Sequence, residues 1–441
     1  MKPLYEKFLE PGMEYRGKPF WSWNGTLEKE ELLRQIYVFK EMGFGGFFMH
    51  SRTGLVTEYL GEEWFDLINA CAEEAEKLGM EAWLYDEDRW PSGTAGGMVT
   101  QEPKYRMKFI KLKVIPEDEF SREEDFLAAF SCRLEGLAFY DCKQLDRQPL
   151  SIDDQAGVDE FGKPPAGKQI LVFTIVEMAK ESFYNGYTYV DTLNREATDT
   201  FLNLTHEKYK QACGDKFGKS IKGIFTDEPH RGTLLDGFGI SNEDKAWHAP
   251  WTYTLFDSFK AKYGYDLLPR LPELFLQHEG RLVSQVKWHY VELLQEMFLE
   301  NFAKPMNEWC KANHLILTGH ILHEDNLTAQ TAMSGSVMRC YEHMEYPGID
   351  VLTEGNNNYW IAKQLQSAAR QLDKRWLLSE LYGCTGWQMP LEAHKSVGDW
   401  QALFGINLRC HHLSWYTMEG ESKRDYPASI SHQSTWWKDY S

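Results

Sequence analysis

No Cys-x-x-Cys pair occurs in the 441 residues, and the eight cysteines, at 71, 132, 142, 213, 310, 340, 384 and 410, show no zinc-ligand spacing. That excludes a thiolate metal centre and a thioredoxin-type redox pair, and leaves buried free thiols as the expectation. No apolar run approaches the roughly 18 residues of a membrane span. The start, MKPLYEKFLEPG, lacks the apolar core of a secretory leader, so a cytoplasmic, reducing setting is expected for the chain as given. Positive charge is short: 47 Lys and Arg stand against 66 Asp and Glu, a formal net charge of −19. This argues against nucleic acid or an anionic membrane as partner. Nucleophile elbow, Walker loop and dinucleotide fingerprint are missing, because Gly43-Phe44-Gly45-Gly46 precedes an apolar run instead of following one. No organic cofactor is expected.

Aromatic residues, by contrast, are plentiful. The 16 Trp and 22 Tyr exceed what a core of this size requires, so some are expected on surfaces that hold flat ligands such as sugars. A unit also repeats, in which an apolar strand ends in polar residues and a helix follows. KPFWSWNG (18–25) precedes a helix over about 27–42 with Leu32, Ile36 and Phe39 on one face. GGFFMHSR (45–52) precedes a helix over 62–78, where Trp64, Ile68, Cys71, Ala75 and Leu78 form a stripe that Gly79 ends. MEAWLYDED (80–88), IKGIFTDEPH (221–230), LILTGHILHE (315–324), GIDVLTEG (348–355), RWLLSELYG (375–383) and NLRCHHLSWYT (407–417) complete eight strand candidates. Strands that are apolar throughout belong to a parallel sheet buried on both faces, and eight alternating with helices predict an α/β fold, a (β/α)8 TIM barrel spanning 1–441. Within it, residues 103–185 have period-two apolar patterning and predict a small β subdomain inserted after strand three. The stretch 231–280 reads as a long irregular loop with short helices over the pocket.

Active sites of such barrels lie where the strands end. The polar residues there are Trp23 and Asn24; His50 and Arg52; Asp86 through Trp90; Asp227, Glu228 and His230; His320, His323 and Glu324; Glu354; Glu380 and Tyr382; and His412, Trp415 and Glu419. Glycosidic-bond cleavage needs two carboxyl groups, and Glu228 on strand four with Glu380 on strand seven are the candidate catalytic pair. Candidate substrate-binding residues are Trp23, Asn24, His50, Arg52, Asp86, Asp88, Arg89, Trp90, Asp227, His320, Glu324, Tyr382, Trp387 and His412. The run Asp86-Glu87-Asp88 could hold a hard cation through oxygen ligands, or be a solvated run neutralised by Arg89.

The motifs PFWSWNG, GFFMHSR, YDEDRWPSGTAGG, FTDEPH, YGYDLLP, WCKANHLILTGH, PGIDVL, LLSELYGCTGW and HHLSWYTMEGESKRDYP occur in that order. Together they resemble the catalytic barrel of glycoside hydrolase family 106, the α-L-rhamnosidases, over most of the chain. The resemblance implies an inverting glycosidase that removes terminal L-rhamnose, with calcium helping to hold the sugar. Residue by residue it makes Glu228 of FTDEP the general acid and Glu380 of SELYG the general base, while the calcium ligands are not mapped. It also implies β-sandwich domains beyond the barrel, whereas this chain stops at WWKDYS; a minimal relative and an excised domain both fit. The alternatives are a retaining glycosidase acting on a galactoside or uronide, and a barrel that binds glycans without cleaving them. In every case the expected partner is a carbohydrate.

Overall fold

Burial of apolar strands on both faces closes the sheet into a barrel. In a computed structural model describing residues 4–121, 125–145, 168–234, 247–427, 430 and 432–440, the barrel strands are β1 (Phe20–Gly25), β2 (Gly46–Leu55), β3 (Glu81–Tyr85), β4 (Ile221–Asp227), β5 (Ile316–His320), β6 (Tyr346–Asp350), β7 (Leu378–Leu381) and β8, which runs in two pieces (Leu408–His411 and Ser414–Trp415). Each pairs in parallel with the next, from Phe48↔Trp83 between β2 and β3 to Leu381↔His411 between β7 and β8. The second piece of β8 pairs with β1 through Ser22↔Trp415, and this contact closes the ring.

The expected helices form the outer layer. The stripe on Glu62–Leu78 buries Trp64, Ile68, Cys71 and Ala75, and Gly79 ends that helix in the left-handed region at φ 70°. Side-chain alternation sorts each strand into inward and outward faces. On β1, Phe20 points inward and meets Phe48, Tyr85 and Phe225 edge-on, at ring centroids 5.6, 5.7 and 4.7 Å away. Trp21 points outward against Phe39 of the helix layer. The inward aromatic layer plugs the barrel and separates its two ends.

The period-two segments after β3 form their own sheet. Lys108–Pro116, Ala128–Glu135, Ala138–Leu145 and Lys168–Glu177 are antiparallel neighbours, with Ile110 opposite Ile175. The rest of the expected insert, 122–124 and 146–167, lies outside the described residues. Of the stretch 231–280, residues 235–246 lie outside the described ones, and two of the described pieces join this sheet. Trp247–Trp251 pairs along Lys108–Leu112 at one edge of this sheet and Gln277–His278 along Ala138–Phe139 at the other. Their partners lie more than a hundred residues away, so local patterning does not reveal them. Among the described residues, no helix is long and apolar enough to cross a membrane.

Gly319 shows how tightly the barrel closes beneath the site. Its φ is +136°, and a Cβ there would lie 1.8 Å from the Thr226 carbonyl oxygen on β4. Gly319→Ala is therefore expected to cost about 2–4 kcal/mol, read as a lowered urea midpoint; a midpoint equal to the parent's would contradict the packing described.

Candidate active site

Strand register brings the charged residues to one height. His320 pairs with Asp227 across β5 and β4, and Asp350 pairs with Glu380 across β6 and β7. His320 Nε2 lies 2.7 Å from Glu380 Oε2 and 3.3 Å from Asp227 Oδ1, within reach of both carboxyl groups. Asp227 Oδ2 in turn accepts a 2.6 Å hydrogen bond from the Tyr85 hydroxyl. His412 Nε2 stands 3.6 Å from the other Glu380 oxygen. Glu228, one residue beyond β4, adopts φ +49°, a conformation that a non-glycine residue holds at a cost.

Removing these groups from water sets their protonation. Burial pushes Glu228 well above the usual carboxylate range, and the charges of Asp227, Asp350 and Glu380 add to this while His320 opposes it. Burial raises Glu380 to about 8, with Asp350 adding and the hydrogen bond from His320 opposing. Burial raises Asp350 to about 6. For His320 burial works the other way, but the Glu380 hydrogen bond and the charges of Asp227, Glu380 and Asp350 win and hold it well above an ordinary histidine. All three carboxyls are thus pushed in the same direction by burial, and what distinguishes Glu380 is the hydrogen bond from His320 that opposes the rise.

The other wall is built on Arg52. Its guanidinium makes two 2.7 Å hydrogen bonds to Asp425, lies 4.2 Å over the Trp90 ring and approaches His50 Nε2 at 3.2 Å. Trp90 packs against Tyr426 at 5.4 Å. Between the two walls lies a cavity of about 130 Å³, where Leu352, Cys384, Trp90 and Tyr426 face Asp227, Glu228, Asp350 and Glu380.

Of the residues expected from sequence, Glu228, Glu380, Asp227, Arg52, Trp90 and His412 line this cavity. His320 lies buried against its carboxylates, and His50 stacks on Tyr85 at 3.5 Å behind Arg52. Glu324 supports the site from outside by accepting from the Asp350 amide and the Tyr341 hydroxyl. Asn24 accepts from the Thr417 amide at the rim. The structure does not bring the others to the cavity. Trp23 points into the helix layer, 4.9 Å from Trp64. Tyr382 stacks on His394 at 4.7 Å, outside the barrel. Trp387 is half exposed and leans on Trp415.

The acidic run after β3 diverges and does not converge on an ion. Asp86 accepts from Ser92 Oγ. Glu87 accepts the amides of Asp88, Gly93, Thr94, Ala95 and Gly96 and so ties the loop that carries Trp90. Asp88 accepts from Ser51 and Asn185 and stands 3.7 Å from Arg89, which also pairs with Asn185. Asp86 and Glu87 are buried, so the run is not a solvated one.

Among the described residues, two groups of three could hold a metal ion, Asp227–His320–Glu380 and Glu228–His320–Asp350, each with one donor atom per residue within 4.8 Å of the others. Four cavity residues are not among those expected from sequence, Asp350, Leu352, Cys384 and Tyr426, and neither is Asp425, which holds Arg52 from behind.

The profile of glycoside hydrolase family 106, described as alpha-L-rhamnosidase, matches residues 182–383. This span contains Glu228, His320, Asp350 and Glu380. The chain resembles glycoside hydrolase family 106. A protein of Formosa agariphila, provisionally named a beta-glucuronidase, is 20% identical over 495 aligned positions that cover 99% of this chain and 40% of that protein. The structure of a rhamnosidase from Novosphingobium sp. PP1Y superposes with a TM-score of 0.67 at 15% identity, covering 100% of this chain and 59% of that one. The chain thus spans about two fifths to three fifths of the length of these relatives, and the second likeness establishes the (β/α)8 fold.

Proposed function

We propose that the protein removes a terminal sugar, α-L-rhamnose, from a glycan or glycoconjugate by an inverting reaction. The observation that carries this is the placement of Glu228 and Glu380 in one small cavity, with the His320 hydrogen bond made to Glu380. Glu228, crowded by Asp227 and Asp350, keeps its proton and donates it to the departing glycosidic oxygen. Glu380, gripped by His320 and beside His412, accepts the proton of the attacking water. The cavity is small enough to favour one sugar ring over a chain. Leu352, Trp90 and Tyr426 offer apolar surface to the C–H faces and to the methyl group of a 6-deoxy sugar.

A hard cation fits this donor set. Asp350 Oδ1 is buried without a hydrogen-bond partner, and Glu228 stands beside it. Calcium takes about 6–8 oxygen ligands, so water and sugar hydroxyls would complete its shell; when bound, it supplies positive charge and orients those hydroxyls.

The name of the Formosa agariphila relative raises a uronide as a second substrate. The acidic lining opposes it, since the Arg52 charge is already matched by Asp425. Hydrolysis of aryl glycosides tests the proposal: release from the α-L-rhamnoside, with the β-sugar as first product by NMR, is expected, and faster release from the β-D-glucuronide would reject it.

The pH profile gives a second test. A base raised to about 8 is ionised only as pH climbs towards that value. The ascending limb of kcat/KM is therefore expected on the alkaline side of neutrality without added metal, with a fall once Glu228 loses its proton. A cation at Asp350 favours the ionised carboxylates, so calcium should move the ascending limb to lower pH and chelation should move it back. A limb near pH 4 that ignores chelator would contradict both assignments.

A further inference from the structure

A second cavity, of about 340 Å³, opens at the opposite end of the barrel, where the strands begin. It is larger than the catalytic one and separated from it by the layer of Phe20, Phe48, Tyr85 and Phe225. Beneath it Trp83 is buried, and Gly223 leaves room for its indole: a Cβ at Gly223 would lie 2.5 Å from it. Tyr346 and Trp376, both partly exposed, supply its aromatic surface, with ring centroids 6.1 Å from Trp83 to Tyr346 and 6.0 Å from Tyr346 to Trp376.

The polar lining is balanced. Glu14 and Glu81 face Lys18 and Lys222. Lys18 is fixed, 3.3 Å from Glu81, and Glu81 also accepts from the Trp83 indole at 3.2 Å. Lys222 is different: among the described residues its ammonium group has neither an ion-pair nor a hydrogen-bond partner, although it borders the cavity. Two carboxylates and two ammonium groups, with His314 beside them, mix donors and acceptors without a cluster of one sign. Aromatic faces beside both donors and acceptors suit a neutral ring that has C–H faces and hydroxyl edges.

We infer that this cavity is a second, non-catalytic saccharide-binding site that takes a neutral sugar unit. It rests on the reading of the chain as a saccharide-processing protein, and it would let the barrel hold a glycan at one end while cleaving a terminus at the other.

The test uses the full chain carrying Glu228→Gln, titrated by calorimetry with methyl α-L-rhamnopyranoside, methyl β-D-galactopyranoside and methyl β-D-glucopyranoside. Trp376→Ala and Lys222→Ala are then added singly, with Trp376→Phe as the conservative control. A site that Trp376→Ala and Lys222→Ala each weaken at least tenfold, and that Trp376→Phe keeps, is the expected result. If it binds in addition to a site insensitive to these changes, the stoichiometry is two. If it is the sole site, this inference stands and the catalytic proposal loses its sugar. Binding that none of the variants alters, or no binding beyond the catalytic cavity, overturns it. A purely structural role for Trp376 would lower the melting temperature in Trp376→Ala while leaving saccharide stoichiometry unchanged.

Discussion

Glu228→Gln and Glu380→Gln are each expected to lower kcat/KM on an aryl α-L-rhamnoside by on the order of 10³-fold while the fold survives, because Gln keeps the shape and removes the proton chemistry. The two losses should differ in kind. A departing group that needs no protonation, such as dinitrophenolate, bypasses a general acid. Glu228→Gln should therefore recover much of its rate on that substrate, and Glu380→Gln should not. Recovery in Glu380→Gln alone would exchange the roles. Near-parental activity in either variant would remove that residue from the mechanism, and circular dichroism with a urea melt separates chemistry from misfolding. Glu380→Gln has a second effect: His320, now facing an amide, loses the nearest carboxylate holding its proton.

Most of the barrel was legible in the sequence because its strands are apolar along their whole length and the polar residues collect where they end. Glu228, Glu380 and His320 could be read from that rule alone. The same uniformity concealed which side chains face inward. Trp23 and Asn24 are adjacent, and alternation sends one to the helix layer and the other to the rim; nothing in FWSWNG says which. His411 and His412 are separated in the same way, with His411 outward against Phe44 at 4.9 Å and His412 in the cavity. Asp350 escaped because it interrupts an apolar run, PGIDVL, instead of ending it, so the exposed Glu354 drew attention in its place. Asp425 and Tyr426 belong to no strand. They join the site through a contact that spans 373 residues of sequence, which periodicity has no means of reporting.

That long-range contact carries the other large expected effect. The Arg52 and Asp425 side chains are each 2% exposed and doubly hydrogen-bonded. Burial works against the guanidinium charge, and Asp425 more than offsets it, so Arg52 stays charged. Asp425→Ala leaves that charge buried and unmatched, at a cost of about 3–5 kcal/mol, whereas replacing both partners with apolar residues of similar volume costs much less. Urea melts of Asp425→Leu, Arg52→Met and the double variant Arg52→Met/Asp425→Leu measure this directly as a coupling energy, with Asp425→Ala as the truncation that leaves the charge bare. Activity should not follow stability. The double variant regains its fold but lacks the cation over Trp90 and beside His50, so kcat/KM should stay depressed by on the order of 10²-fold through misplacement of the wall that Trp90 and Tyr426 form. A single variant that loses less than about 1 kcal/mol would mean the pair behaves as a solvated surface bridge, and the wall would then need another support. A double variant with full activity would show that Arg52 only fills space, and the sugar's contacts on that side would fall to Trp90 and His412 alone.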